Sequence, residues 1–133
     1  MNRQDQVLLG RRKDNALFGL PGGKLEFGES IEECAARELA EETQVQLPPQ
    51  NFRVFKALNC RRPGYHCVDF FAAVQWDEVQ APVNAEPEAC EGWEFVSWDT
   101  LPTLELFWPL ADILESTPQL RFEEVPKLPR VLS

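Results

Sequence analysis

Glu38, Glu41 and Glu42 are the residues in this chain most able to do chemistry. At about 100° per residue on a helix they fall within an arc of about 100°. Each like-charged pair at that spacing costs a few tenths of a kcal/mol. Glu41 and Glu42 would also stand at the helix end whose dipole is already negative. A solvated acidic face is the plain reading, but charges that oppose the dipole, with Arg37 beside them, count against it. A hard divalent cation would turn the repulsion into attraction, because oxygen ligands on one rigid element suit Mg²⁺ or Mn²⁺.

The elements that must position these carboxylates lie between Gly22 and Val45. Ser30 and Glu33 form an S-x-x-E capping box, which predicts a helix from Ile31 through Glu42. Pro21-Gly22-Gly23 predicts a sharp turn in which backbone groups approach a ligand closely. Ile31, Ala35 and Leu39 recur every four residues and are the expected buried stripe. Glu38 sits at the margin of that stripe, so the carboxylates should line a cleft between helix and sheet. Leu47-Pro48-Pro49 ends the helical region.

Val7 to Gly10 reads as a strand after a polar start, followed by the basic cluster Arg11, Arg12 and Lys13, which could steer phosphates into a site. An Asp14-Asn15 turn leads to a second apolar stretch, Leu17 to Leu20. Phe52 to Leu58 and Tyr65 to Trp76 are expected to pair as a hairpin across Arg61-Arg62-Pro63-Gly64. Asp69 interrupts the second of these strands. Pointing outward it means nothing; pointing into a pocket it could accept hydrogen bonds from a base. His66 could serve as a general base, although a lone strand histidine is more often simply hydrogen-bonded.

Asp77 to Ala89 is a polar loop of the length that often carries function, ending in Glu86-Pro87-Glu88. Trp93 to Trp98 reads as another strand. Phe107-Trp108 precedes a helix with Pro109 at its first position, running to about Glu115. The aromatic pair is most economically core packing, with one ring available to wall a base pocket. The tail from Ser116 has no sustained period and is expected to be extended or disordered.

The whole chain has 133 residues with 44% hydrophobic content, enough for one domain with a real core. The expected organisation is a domain over residues 1–115 and a tail over 116–133. A formal charge of -9 argues against a nucleic-acid polymer or an anionic membrane as partner. Four cysteines without C-x-x-C spacing and a single histidine argue against structural zinc. Unclustered thiols suit a reducing compartment, and no secretory signal or long apolar span is seen, so the chain reads as soluble and cytoplasmic.

Gly23, Glu29 and the run Arg37-Glu38-Leu39-Ala40-Glu41-Glu42 together resemble the Nudix box, G-x5-E-x7-R-E-U-x-E-E-x-G-U, where U is aliphatic. LPGGKLEFGESIEECAARE, EPEACEGWEFVSW and LFWPL are similar to MutT-like Nudix hydrolases of the Nudix hydrolase 15 type, over roughly Val7 to Leu114. The resemblance implies an α/β fold, an α/β/α sandwich with a mixed sheet, and Mg²⁺-dependent attack of water on a diphosphate, with Mn²⁺ as a substitute. It implies metal ligation by Glu38, Glu41, Glu42 and the Gly23 carbonyl, one glutamate doubling as base. Arg37 and Glu29 match a pair that holds loop and helix in register. Glu86 or Glu88 would add a ligand from the loop.

Two positions depart from the pattern. Gln44 replaces the glycine of the box, and the apolar strand that usually precedes Val7 to Gly10 is missing from the fold expected here. The tail or a neighbouring subunit in a homodimer could take its place. Three functions compete. The first is a nucleoside triphosphate diphosphatase releasing monophosphate and pyrophosphate, clearing modified nucleotides. The second acts on a nucleotide sugar, dinucleotide or prenyl diphosphate; the third binds nucleotide without catalysis. Arg11, Asp69, Glu88, Phe107 and Trp108 are the candidate substrate contacts.

Overall fold

A computed structural model describes residues 1–4 and 6–116. The tail expected from Ser116 lies, beyond that residue, outside the described part. Five strands, two short 3-10 turns and two helices follow the expected order. β1 (Gln6–Arg12) pairs antiparallel with β2 (Phe18–Gly19) on one side and β5 (Cys90–Ser97) on the other. β3 (Arg53–Arg62) and β4 (Tyr65–Ala73) form a separate antiparallel hairpin. Pro63-Gly64 alone makes its turn, with Gly64 at φ 74°; Arg61 and Arg62, expected in the turn, extend the strand instead. A lone parallel bridge joins Phe18 to Leu106.

Among the described residues no backbone ladder joins the two sheets. They are held together by side chains: Val7, Leu9, Val96 and Trp98 of one sheet share a core with Phe71 and Ala73 of the other, closed by Leu101, Leu110 and Ile113. Met1 touches the end of β4 through its ammonium to the Val74 carbonyl, 2.8 Å, and its own carbonyl accepts the Trp76 amide, 2.8 Å. This is the gap that the strand missing ahead of Val7 leads one to expect.

α1 (Ile31–Thr43) begins as its residues dictate: the Ser30 hydroxyl accepts the Glu33 amide, 3.1 Å, and the Glu33 carboxylate accepts the Ser30 amide, 3.0 Å. The buried positions are Cys34, Ala36 and Thr43, whereas Ile31, Ala35 and Leu39 are only half-buried. The fully buried positions therefore flank the expected stripe, Cys34 at one margin and Ala36 with Thr43 at the other. Small residues let the helix approach its neighbours closely, and Thr43 is tolerated inside because its hydroxyl donates to the Leu39 carbonyl, 2.7 Å. α2 (Trp108–Ser116) packs against β3. No helix among the described residues is long and apolar enough to cross a membrane.

Gln44 ends α1 in the left-handed region, φ 62° and ψ 11°, donating its amide to the Ala40 carbonyl, 2.9 Å. A side chain costs about 1 kcal/mol there and glycine costs nothing. Gln44→Gly should therefore stabilise the protein by about 1 kcal/mol. Urea unfolding checks it: the midpoint rises with the slope unchanged, and a fall would refute the assignment.

Candidate active site

The C-terminal half of α1, the bend before it, β1, β5 and the Asp77–Ala89 loop enclose a cleft of about 610 Å³. Glu38 and Glu42 line it from the helix, Glu86 and Glu88 from the loop, and Arg12 and Lys13 from the end of β1, where the Lys13 amide donates to the Ala89 carbonyl, 2.9 Å. Two glutamates from a helix and two from a loop thus meet cations from a strand.

Arg37 organises the helix side. Its Nε and Nη2 grip the two oxygens of Glu29 at 2.6 and 3.0 Å, and Nη1 donates to Glu38 at 2.8 Å and Glu41 at 3.1 Å. Nη2 also reaches the Lys24 carbonyl, 3.0 Å, fastening the loop to the helix. The guanidinium fork suits such planar, multiple contacts. Arg37 holds the Glu29 carboxyl at a pKa of about 2, well below its usual range. The two residues expected to pair are thus in direct contact.

Gly23 lies tight against Glu38. A Cβ on it would meet the Glu38 carboxylate, the movable end of that side chain, which would have to shift to make room. The Gly23 carbonyl accepts a long contact from the Cys34 thiol, 3.9 Å. The neighbouring Gly22 amide donates to Glu42 Oε2, 2.8 Å, an anchor that no motif spacing announces.

Glu42 is shifted in the opposite sense to Glu29. Burial, and then the charges of Glu38, Glu86 and Glu41, push its pKa up to about 7 against the pull of the Gly22 amide. The folded metal-free protein then keeps a proton that the unfolded chain releases between pH 4.5 and about 7. Its stability should fall as pH rises through that window, by about 2 kcal/mol for a partly buried group. Thermal unfolding in a chelator checks the sign. Glu42→Gln should flatten the slope, and a slope left unchanged would place its origin elsewhere.

Several sequence expectations need correction. Arg11 does not line the cleft: neighbouring strand residues face opposite ways, and Arg11 turns to Glu91, 3.5 Å, and the Ala16 carbonyl, 3.2 Å. Arg12 takes the place expected for it, braced by Asp14 at 2.8 and 3.0 Å and stacked 4.0 Å over the Phe107 ring. Glu41 is exposed, outside the cleft wall. Asp69 lies away from the cleft lining, with one oxygen buried and unpartnered and its pKa raised by burial and then by Asp112. Trp108 packs edge-on to Tyr65, 4.8 Å between centroids, rather than walling the cleft. His66 is exposed beside Asn59, 3.2 Å.

The donors fit a divalent cation in kind, because Glu38, Glu42, Glu86 and Glu88 gather hard oxygens around one cleft without enough positive charge to balance them. As the side chains stand, no three carboxylate, imidazole or thiolate groups among the described residues converge on a point. Arg37 Nη1 occupies Glu38 and Glu41. Holding an ion would require these two to leave Nη1, while Nε and Nη2 keep Arg37 on Glu29.

Comparison with known proteins agrees with this arrangement. The family described as NUDIX domain matches residues 1–116. An 8-oxo-dGTP diphosphatase of Escherichia coli is 35% identical over 81 residues, 57% of this chain and 61% of that protein. An ADP-ribose pyrophosphatase of Methanocaldococcus jannaschii is 30% identical over 107 residues, 78% of this chain and 62% of that protein. The chain thus spans about three fifths of the length of these two relatives. The crystal structure of a MutT NUDIX hydrolase from Burkholderia pseudomallei superimposes with a TM-score of 0.75 at 26% identity, covering 86% of this chain and 90% of that one.

Proposed function

The chain belongs to the NUDIX domain family, and from that premise we propose that it hydrolyses a nucleoside triphosphate to nucleoside monophosphate and pyrophosphate with Mg²⁺. The observation that carries this reading is one cleft lined by both acids and cations: Arg12 and Lys13 share it with Glu38, Glu42, Glu86 and Glu88. A polyphosphate fits beside those acids only if a cation matches it to them. Bound there, Mg²⁺ screens the phosphate oxygens and acidifies a water molecule.

The chain's own residues supply the rest. Arg12, held rigid by Asp14 and Phe107, offers a fixed cation to the phosphates. Glu38, Glu41 and Glu42 are the carboxylates assigned to the ion, with Glu38 or Glu41 taking the proton of the attacking water. Gly23 contributes its carbonyl, and Glu88 or Glu86 a further oxygen from the loop. Phe107, under Arg12, is the candidate contact for a base.

A panel of nucleotides incubated with Mg²⁺ tests the proposal by product analysis. Release of monophosphate and pyrophosphate that stops in chelator supports it. No metal-dependent monophosphate from any nucleotide would overturn it. A second reading, a dinucleotide-type diphosphate such as ADP-ribose, is favoured by the relative matched over 78% of this chain. The same assay separates the two, because that substrate yields two monophosphates and no pyrophosphate.

A further inference from the structure

We propose that Trp93 is a positioning residue for the metal site, clamping the end of α1 to β5 so that Glu42 and the loop glutamates hold one register; this rests on the reading of Glu42 as a metal ligand. The indole Nε1 donates to the Glu42 carbonyl, 3.2 Å, from the strand on the far side of the cleft. The ring lies so close to β1 that a Cβ on Gly10 would meet it at 2.8 Å, and the Cys90 thiol at 2.7 Å. Gly10 therefore exists to let the indole lie flat, and the indole is fixed from both sides.

The Glu42 carbonyl is also where the functional loop attaches. It accepts the Ala85 amide, 3.2 Å, while Thr43 accepts the Val83 amide, 2.9 Å. Gln46 and Gln80 exchange two hydrogen bonds further along, 2.6 and 2.8 Å. Asn84 completes the run by donating to the Cys90 carbonyl, 2.7 Å. The loop is thus laced along the helix exit, and Glu86 follows the last stitch by a single residue. A helix C-terminus leaves its final carbonyls without internal partners, so whatever satisfies them fixes where the end sits. Here the donors are the backbone leading to Glu86 and the indole of Trp93. The carbonyl they share belongs to Glu42, whose own carboxylate is pinned by Gly22.

Trp93→Phe keeps an aromatic side chain on β5 but removes the donor together with the outer ring that approaches Gly10. Calorimetric titration of Mn²⁺ alone into metal-free protein should then show affinity weakened about tenfold, the scale seen when partners that orient metal ligands are removed. A second reading needs no variant. Of the four indole N–H resonances, the one of Trp93 should shift on Mg²⁺ addition to wild-type protein. Wild-type binding with unchanged Mn²⁺ affinity in folded Trp93→Phe, even if its melting temperature drops, would leave Trp93 a packing residue and overturn the clamp alone. If wild type binds no Mn²⁺, the metal-site reading fails and the clamp with it. Should the variant not fold, the indole resonance decides: a Mg²⁺-dependent shift supports the clamp, and an unmoved resonance overturns it.

Discussion

Glu38→Gln lowers the turnover of metal-loaded protein by about 10³-fold, within the range general-base groups contribute. The fold should survive, because glutamine keeps an oxygen that can accept from Arg37 Nη1, now 2.8 Å from Glu38, and has nearly the same volume. What it loses is the charge proposed to hold a cation and the lone pair proposed to take a proton from water. Glu38 is the better placed of the candidate bases, since it lines the cleft and abuts Gly23, whereas Glu41 is exposed. Glu41→Gln should also cost orders of magnitude, but less than Glu38→Gln. Steady-state rates with Mg²⁺ on the substrate found by the nucleotide panel decide the matter. Turnover within a few-fold of wild type in Glu38→Gln would remove that residue from the chemistry.

Arg37→Ala should be the most destabilising single change around the cleft, lowering the melting temperature by on the order of 10 °C. The guanidinium joins Glu29, Glu38 and Glu41 and fastens the Lys24 carbonyl. The side chains of Glu29 and Glu38 are only 12% and 15% exposed, so removing the cation leaves carboxylates with little water to replace it. Arg37→Lys should rescue little, because an ammonium cannot span three carboxylates. The pH dependence carries a second signature. The Glu29 pKa, lowered from 4.5 to about 2, contributes stability that is present above pH 4.5 and lost as pH falls through about 2. Arg37→Ala should lack that acid limb. A melting temperature unchanged at pH 7 would refute the account.

Much of the site was legible because it is local. The capping box and the Glu29 to Arg37 spacing each depend on a few consecutive residues, and each appears where expected. Gln44 was readable for the same reason, since a left-handed cap is a property of one residue. Pro21-Gly22-Gly23, read as a sharp turn, is only a bend at Pro21, and the turn before the helix comes at Phe27-Gly28, with Gly28 at φ 81°. What failed was orientation. A four-residue recurrence at Ile31, Ala35 and Leu39 indicated a stripe, but the fully buried positions, Cys34 on one margin and Ala36 with Thr43 on the other, flank it. Arg11 and Arg12 were read as one loop cluster, although β1 runs to Arg12 and alternation sends them apart. The Gly22 amide, the Trp93 indole and the stacking of Arg12 on Phe107 join residues from 20 to 95 positions apart, and no periodicity encodes such pairs. Glu86 beside Glu88 was visible as a pair of acids, but its place on the rim depends on the lacing of the loop.

The separation of the two sheets has a consequence for motion. β1 and β5 supply one wall of the cleft, while α1 with its glutamates packs on the β3–β4 hairpin, so the cleft straddles a shear plane. Sliding along that plane breaks no strand ladder, and it is resisted by interdigitated side chains, the Met1 bonds to Val74 and Trp76, and the Trp93 bond to Glu42. Domain-like closing movements of this kind occur on microsecond to millisecond timescales. Relaxation dispersion should therefore find correlated exchange at Gly10, Trp93 and Glu42, where the halves meet, and quiet amides within each hairpin ladder.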